Sequence, residues 1–511
     1  MCGITGIITP TPLAPAMLTA TVEGMASTIH RRGPDHGGSW CDPTSHVALG
    51  FRRLAIIDLT PAGQQPMISQ SSRYTIVFNG EIYNHQDIRQ TLEVPWRGTS
   101  DTETILAAVE RWGIEATLKK LNGMFAFALW DKAKSLFFLV RDRYGIKPLY
   151  YTQLSDGTLV FGSEVKAILA YGEYEKDLDY EALLEYFTFQ NIFTDKTLYK
   201  NIKILPAGHF IAIHVHSHNA EIKPTQYWDF HFSEPQHAKD EQAYIEELDR
   251  LIKQAVERQL VSDVEVGSYL SGGMDSGSIT AIAAKNIPYL KTFTVGFELN
   301  SVSGLELKFD ERAKAEYMSY LFKTEHYEMV LKSGDMERCM PKFAWHLEEP
   351  RVGQSYANYY ASKLASKFVK VVLAGTGGDE LFGGYPWRYY RAVVNDDFEN
   401  YIDKYYLFWQ RLVDNSQLKK IFAPVWDKVS HVWTRDIFRN VFSNHANYLT
   451  RPEDYVNHSL YFEAKTFLHG FLVVEDKLSM AHSLETRVPF LDNDLVDFAM
   501  KVPVNLILHS I

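Results

Sequence analysis

Two places in the chain have residue types and spacing suited to chemistry: Cys2, and the run Ser271-Gly272-Gly273-Met274-Asp275-Ser276. If Met1 is removed, Cys2 carries a thiol and a free α-amine on one residue. An α-amine titrates at about 7.7–8.0, so near neutrality it can act as the general base for its own thiol. The second run is preceded by a strand-like stretch with Val264, Val266, Tyr269 and Leu270. It is followed from Gly277 to Lys285 by Ile279, Ile282 and Ala283 at helical spacing. Gly272 and Gly273 allow unusual backbone angles and close ligand approach, and the N–H groups after them open a helix, where an anion is favoured. Ser271 and Ser276 add hydroxyl donors, and Asp275 suits a magnesium ion bridging phosphate oxygens. The lysine of the common phosphate loop is absent. An ordinary glycine turn would explain a bare Ser-Gly-Gly. With a strand before it, a helix after it, and Asp275-Ser276 within it, the run reads as a pyrophosphate cradle for splitting ATP between its α and β phosphates.

The elements around Cys2 supply candidate partners. Ser27 to Asp35 is a turn-forming cluster rich in positive charge, and Arg52-Arg53-Leu54-Ala55-Ile56-Ile57-Asp58 follows. Next come Phe78-Asn79-Gly80-Glu81-Ile82-Tyr83-Asn84 and Gly98-Thr99-Ser100-Asp101-Thr102-Glu103. Asn79-Gly80 after the apolar run Tyr74 to Phe78 predicts a turn at a strand end. A side-chain amide and a glycine N–H there suit an oxyanion hole for acyl transfer. Arg53 suits a substrate carboxylate and Asp101 a substrate ammonium. Singly, each has an ordinary alternative: a hairpin turn, a surface ion pair, a helix N-cap.

Taken with Cys2, these motifs resemble the N-terminal-nucleophile glutamine amidotransferases. So do Gly123 to Asp131, Arg141 to Tyr150 and Gly162 to Lys166 further on. The resemblance implies an α+β domain over residues 2–212, with antiparallel sheets sandwiched between helices, that hydrolyses glutamine to glutamate and ammonia. Residues 213–239 are polar and histidine-rich and read as a linker. The histidines at 214, 216, 218, 231 and 237 are irregularly spaced and lack cysteines, which favours a solvated connection over a metal site. From Asp240 a helical face of Ile245, Leu248, Leu251, Ile252, Ala255 and Val256 leads to the cradle. Strands are predicted at Leu290 to Phe297, His326 to Leu331 and Lys370 to Leu373. The last runs into Ala374-Gly375-Thr376-Gly377-Gly378-Asp379. Strands alternating with helices imply a parallel sheet with its ligands at the strands' carboxyl ends. Asp275 and Asp379 would then face one crevice and serve one magnesium ion. The stretch from Trp387 to about Phe467 is aromatic-rich and helical, as packing requires. Glu475 to Asp492 is dense in charge and suited to border a site.

In this order the two halves resemble the glutamine-hydrolysing asparagine synthetases (the asparagine synthetase B type) over nearly the whole chain. The resemblance implies an α/β second domain, residues 240–511, of the adenine nucleotide alpha hydrolase kind. Such a domain adenylates aspartate with ATP; ammonia passing through an internal tunnel then displaces AMP. It assigns Cys2 as nucleophile, Asn79 and Gly80 as oxyanion hole, and Arg53, Ile57, Glu81 and Asp101 to glutamine. ATP falls to Tyr269, Ser271, Gly272, Gly273, Asp275, Ser276, Val295, Ala374 and Gly375, and Mg2+ to Asp275 and Asp379. There are two departures. Thr376 stands where the family commonly has an acidic residue, the candidate base or intermediate-stabilising group. The sequence also ends at Ile511, before the family's further helices and a lysine near the pyrophosphate, for which Lys477 is the available substitute. The alternatives are a relative amidating another carboxylate or closing a lactam ring, and a glutaminase-only or regulatory protein.

Composition narrows the class. The chain has 511 residues, enough for two or three domains, with 46% hydrophobic and 23% charged residues. A net charge of −11 argues against a nucleic-acid surface. No apolar run approaches a membrane span and no basic residue precedes Arg31, so neither a span nor a signal peptide is expected. Three cysteines make neither a disulfide framework nor a zinc site, and a reducing cytoplasm fits them. Expected partners are glutamine, aspartate and ATP, with a homodimer as the candidate assembly.

Overall fold

The structure, a computed structural model, describes residues 1–215, 222–237, 240–298, 310–393, 397–443 and 449–508. His216, His218 and Ile511 lie outside the described residues. The first half is built on two six-stranded antiparallel sheets. One runs in the order Lys203–Ile204, Tyr150–Gln153, Leu159–Gly162, Gly3–Ile8, Val47–Arg53, His36–Cys41. The other runs Thr225–Gln226, His209–His214, Leu136–Arg141, Gly123–Asp131, Tyr74–Ile82, Met67–Ile68.

Each sheet is covered on both faces. Ile4, Ile8, Leu49 and Phe51 of the first pack against Val77, Ala126, Ala128 and Leu139 of the second. On the outer face of the first sheet, Ile7, Ala48 and Val160 meet Leu18, Val22 and Met25 of the helix Pro15–Thr28. Outside the second, Ile76, Phe78 and Phe127 meet Ile105, Leu106 and Val109 of the helix Asp101–Trp112. Burial on two faces accounts for near-continuous apolar strands such as Gly123–Asp131.

The predicted turn at Asn79-Gly80 is not there. Strand Tyr74–Ile82 runs straight through, with Asn79 opposite Ala126 and Gly80 opposite Phe125. A Cβ on Gly80 would clash with the Met124 carbonyl and lie 2.7 Å from the Phe125 Cα. This glycine answers a close backbone approach across the sheet rather than a bend.

The second half holds a five-stranded parallel sheet ordered Glu325–Leu331, Lys291–Phe297, Val266–Tyr269, Val371–Leu373, Glu485–Arg487. The first three follow one another outward from Val266–Tyr269, and the last two lie on its other side. The order therefore reverses between Val266–Tyr269 and Val371–Leu373, whose carboxyl ends carry the two glycine loops; such a reversal opens a crevice. The edge strand Glu485–Arg487, short and charged, was not among the predicted strands. Helices between Pro386 and Met480 pack around Tyr401, Tyr405, Trp409, Phe438, Phe462 and Phe467, as the aromatic-rich stretch led one to expect. Among the described residues no helix is long and apolar enough to cross a membrane.

Candidate active sites and the interface between them

At the first site, strand Gly3–Ile8 places Cys2 beside the middle of Tyr74–Ile82. The Cys2 backbone N–H donates to Asn79 Oδ1 at 3.0 Å. Asn79 is fully buried, and its Nδ2 has no hydrogen-bond partner. An unpaired buried amide donor is costly, so it suits an oxygen that arrives with substrate. Burial pushes the Cys2 thiol up to about 11 in this chain, which still carries Met1. Arg53 and Glu81 both lie close enough to act electrostatically on that thiol. Arg53 donates to the carbonyls of Thr60 at 3.1 Å and of Asp58, which fixes the loop that carries Ile57 and Asp58. Asp101 accepts from the Ile82 N–H at 2.9 Å, and burial raises it to about 6. Glu81 is raised well above the usual carboxylate range by burial and by Glu485 and Asp101, and its Oε2 has no partner. Cys2, Arg53, Asn79, Glu81 and Asp101 thus lie together, all buried.

The second site is built from the two glycine loops. Gly272 has φ of 81°, a conformation glycine adopts without strain, and the helix Met274–Asn286 starts directly after Gly273. Ser276 Oγ accepts from the Ser271 N–H at 3.1 Å and shares a hydrogen bond with Ser271 Oγ at 3.0 Å, drawing the loop into a cup. The second loop lies against the first. A Cβ at Gly375 would come 2.9 Å from that of Asp275, and the Asp379 N–H donates to the Asp275 carboxylate. Burial, and then repulsion from Asp379, raise Asp275 to about 6. Two crowded carboxylates at the mouth of this glycine loop suit a divalent cation, which relieves that repulsion. Other assigned residues are held on the strands and their ends. Ala374 pairs through its N–H with the Arg487 carbonyl at 2.8 Å, and the Tyr269 hydroxyl shares a hydrogen bond with Ser362 at 3.1 Å. Val295 lies mid-strand, partly buried against a neighbouring core.

Lys477 does not take the role considered for it. Its Nζ donates to the Leu347 carbonyl at 3.0 Å and to Glu348 at 2.8 Å and lies 4.8 Å from the Tyr150 ring centre, with no exposed surface. Its charge is spent on Glu348 of the same half, which also accepts from the Val165 and Lys166 N–H groups of the first. Sequence reading also missed the network it belongs to. Arg32 bridges Glu164 at 3.0 Å and Asp476 at 2.8 Å, and Lys147 pairs with Asp476 at 3.4 Å. The Met1 ammonium meets Glu485 at 2.9 Å, and Arg487 reaches Glu485 at 2.7 Å and Glu81 at 3.8 Å. The only signal in the sequence was the charge density of Glu475 to Asp492.

A buried N-terminal cysteine in an antiparallel sandwich, joined to a parallel sheet with two facing glycine loops, defines a two-part amidotransferase. Comparison with known proteins gives the particular family. Residues 1–228 match the glutamine amidotransferase domain, and residues 247–510 match asparagine synthase. The chain is 33% identical to glutamine-hydrolysing asparagine synthetase 1 of Bacillus subtilis (strain 168), over 99% of this chain and 82% of that one. It is 31% identical to asparagine synthetase 3 of the same organism, over 100% of this chain and 82% of that one. A putative asparagine synthetase of Mycobacterium bovis is 31% identical, over 98% of this chain and 82% of that one. The chain belongs to the glutamine-hydrolysing asparagine synthetases.

Proposed function

We propose that the chain makes asparagine from aspartate, glutamine and ATP, releasing glutamate, AMP and pyrophosphate, with a separate set of residues for each half-reaction. In the first, the Cys2 thiol passes its proton to the Cys2 α-amine freed of Met1, and the sulfur attacks the glutamine carboxamide carbon. Asn79 Nδ2 and the Gly80 N–H hold the oxyanion while Arg53, Ile57, Glu81 and Asp101 hold the amino acid. The C–N bond breaks, ammonia leaves with the proton, and water hydrolyses the thioester.

In the second, the Ser271–Ser276 loop, with Tyr269, Val295, Ala374 and Gly375, holds ATP while an aspartate β-carboxylate oxygen attacks the α-phosphorus and pyrophosphate departs. Asp275 and Asp379 would hold Mg2+, which when bound offsets phosphate charge. Ammonia then adds to the β-carbonyl carbon and AMP leaves with the electrons of its C–O bond.

The observation that carries this reading is the contact between Glu81 and Arg487, 3.8 Å apart. A residue assigned to glutamine is buried against an edge strand of the nucleotide sheet, so ammonia has a short way to travel out of bulk water. The domain limits 2–212 and 240–511 belong to the same proposal, with the linker between them lending the strand Thr225–Gln226 to the first half's second sheet, as do a cytoplasmic location, suited to three free cysteines, and a homodimer, which sedimentation of the purified chain would check. The test of function is an assay of asparagine and AMP, first with ammonia and then with glutamine. Equal amounts of both products from both donors are expected; glutamate without AMP would reduce the protein to a glutaminase.

A further inference from the structure

Thr376 cannot accept a proton as a carboxylate does, yet amide formation needs an acceptor: ammonia bound to the β-carbon carries an extra proton that must leave. The structure brings a carboxylate to this threonine from elsewhere in the chain. Thr376 Oγ1 donates to Glu475 Oε2 at 2.7 Å, bridging 99 residues of sequence. Both side chains are only partly buried, and Thr376 follows directly on Ala374-Gly375, the stretch packed against Asp275. Glu475 also lines a cavity of about 10 Å³ with Ile146 and Lys147 of the first half and Leu472, Asp476, Thr486 and Val488 of the second. That is close to the room one water needs, and ammonia is of similar size. The cavity therefore lies on the seam between the halves, with the carboxylate on its wall.

We propose that Glu475, positioned by Thr376, is the proton acceptor of the amide-forming step and meets ammonia as it arrives from the first half. This rests on the asparagine-forming reading above. As the nitrogen lone pair forms the C–N bond, the carbonyl π electrons move to oxygen. Glu475 takes a proton from the nitrogen, the carbonyl re-forms, and the C–O bond to AMP breaks with its electrons leaving on the phosphate. The acid then returns its proton to solvent.

The surroundings suit a base at neutral pH. Burial raises Glu475 to about 7, against lowering by the Thr376 hydrogen bond and by Lys147; Asp476 adds to the rise. Tyr269 also lies within electrostatic reach of it. Lys147 and Asp476 are paired with each other, and among the described residues Glu475 has no salt-bridge partner of its own.

The experiment uses the full chain with ammonia as donor, rates being expressed against free NH3. Aspartate-dependent exchange of pyrophosphate into ATP is measured alongside, since that step precedes ammonia's arrival. For Glu475→Gln, asparagine formation is expected to fall about 10²–10⁴-fold, exchange to continue, and the wild-type acid limb near pH 7 to vanish. Glu475→Asp should restore part of the rate and the limb. Wild-type asparagine formation by Glu475→Gln, or an unchanged limb, would overturn the inference while leaving the proposed function standing; a wild-type chain making no asparagine would overturn both. If Glu475→Gln does not fold, Thr376→Val decides. A roughly tenfold slower amide step with a shifted limb supports the proposal, and an unshifted limb refutes it.

Discussion

The two reaction centres are built on opposite principles. Around Cys2 the groups sit within strands of a doubly covered sandwich, and Asn79, Glu81 and Asp101 are each no more than 5% exposed. Around Asp275 the groups sit on loops at the ends of strands; Ser271 and Met274 are exposed and Asp275 and Asp379 only partly buried. The difference follows from what each must admit. A single small amide can be enclosed, and enclosure keeps the ammonia it releases out of bulk water. ATP and an amino acid arriving together need an open crevice, with charge supplied by loop N–H groups and carboxylates. The first centre is therefore set by packing and should tolerate little change in shape. The second is set by electrostatics and should respond chiefly to charge.

The sharpest way to break this division is at the nucleophile. Cys2→Ala is expected to lower glutamine-dependent asparagine formation by roughly 10³-fold or more and leave ammonia-dependent formation in place. Equal loss of both in a folded protein would mean the centres are not separable. Next is Asn79→Ala, which removes a positioned donor and should slow glutamine hydrolysis by about 10²–10³-fold, again sparing the ammonia reaction. Asp275→Asn should do the reverse. Removing one charge from the loops is expected to cost about 10²-fold in ATP-dependent turnover, with glutamine still hydrolysed; a titration of magnesium dependence should shift to higher concentration.

A smaller effect is expected at the seam. Asp476→Asn leaves Arg32 and Lys147 less well compensated in the interior and should destabilise the protein by about 3–5 kcal/mol, read from denaturant unfolding. If unfolding is unchanged, the buried network does not join the halves. Acid probes the same contacts. Burial alone would raise Glu164, but Lys166 and Arg32 bring it down to about 2, and Asp476 is likewise lowered by Arg32 and Lys147 against burial. Carboxylates lowered on folding add stability that is complete above their unfolded values. The contribution of these pairs should therefore be complete above about pH 5 and be lost progressively as pH falls from about 4.5 toward 2. A curve that is flat across that window would remove these pairs from the account.

How much of this was legible in the sequence differs between the same two regions. The glycine loops were readable because their residues are local: strand, Ser-Gly-Gly, Asp275 and helix follow one another, and the fold preserves that order. The Cys2 pocket was readable only as a set of motifs, and Asn79-Gly80 was read as a turn because local preference could not reveal the strand pairing with Gly123–Asp131. The seam was hardest. Glu485–Arg487 is a strand of three residues, two of them charged, and only the contact with Val371–Leu373 makes it one. Lys477 was a candidate for a phosphate with nothing in its sequence neighbours to place it, and its partners lie about 130 residues away. Glu475 was flagged only as part of a charged run, since nothing near it in sequence points to Thr376.

The claim that joins the two centres is that ammonia moves between them without mixing with solvent. It is tested by supplying glutamine labelled with ¹⁵N in the amide together with an excess of unlabelled ammonium, and measuring the isotope in the asparagine amide. The account predicts label well above the bulk ammonia ratio, falling to that ratio in Cys2→Ala. Asparagine carrying only the bulk ratio in the wild-type chain would contradict it.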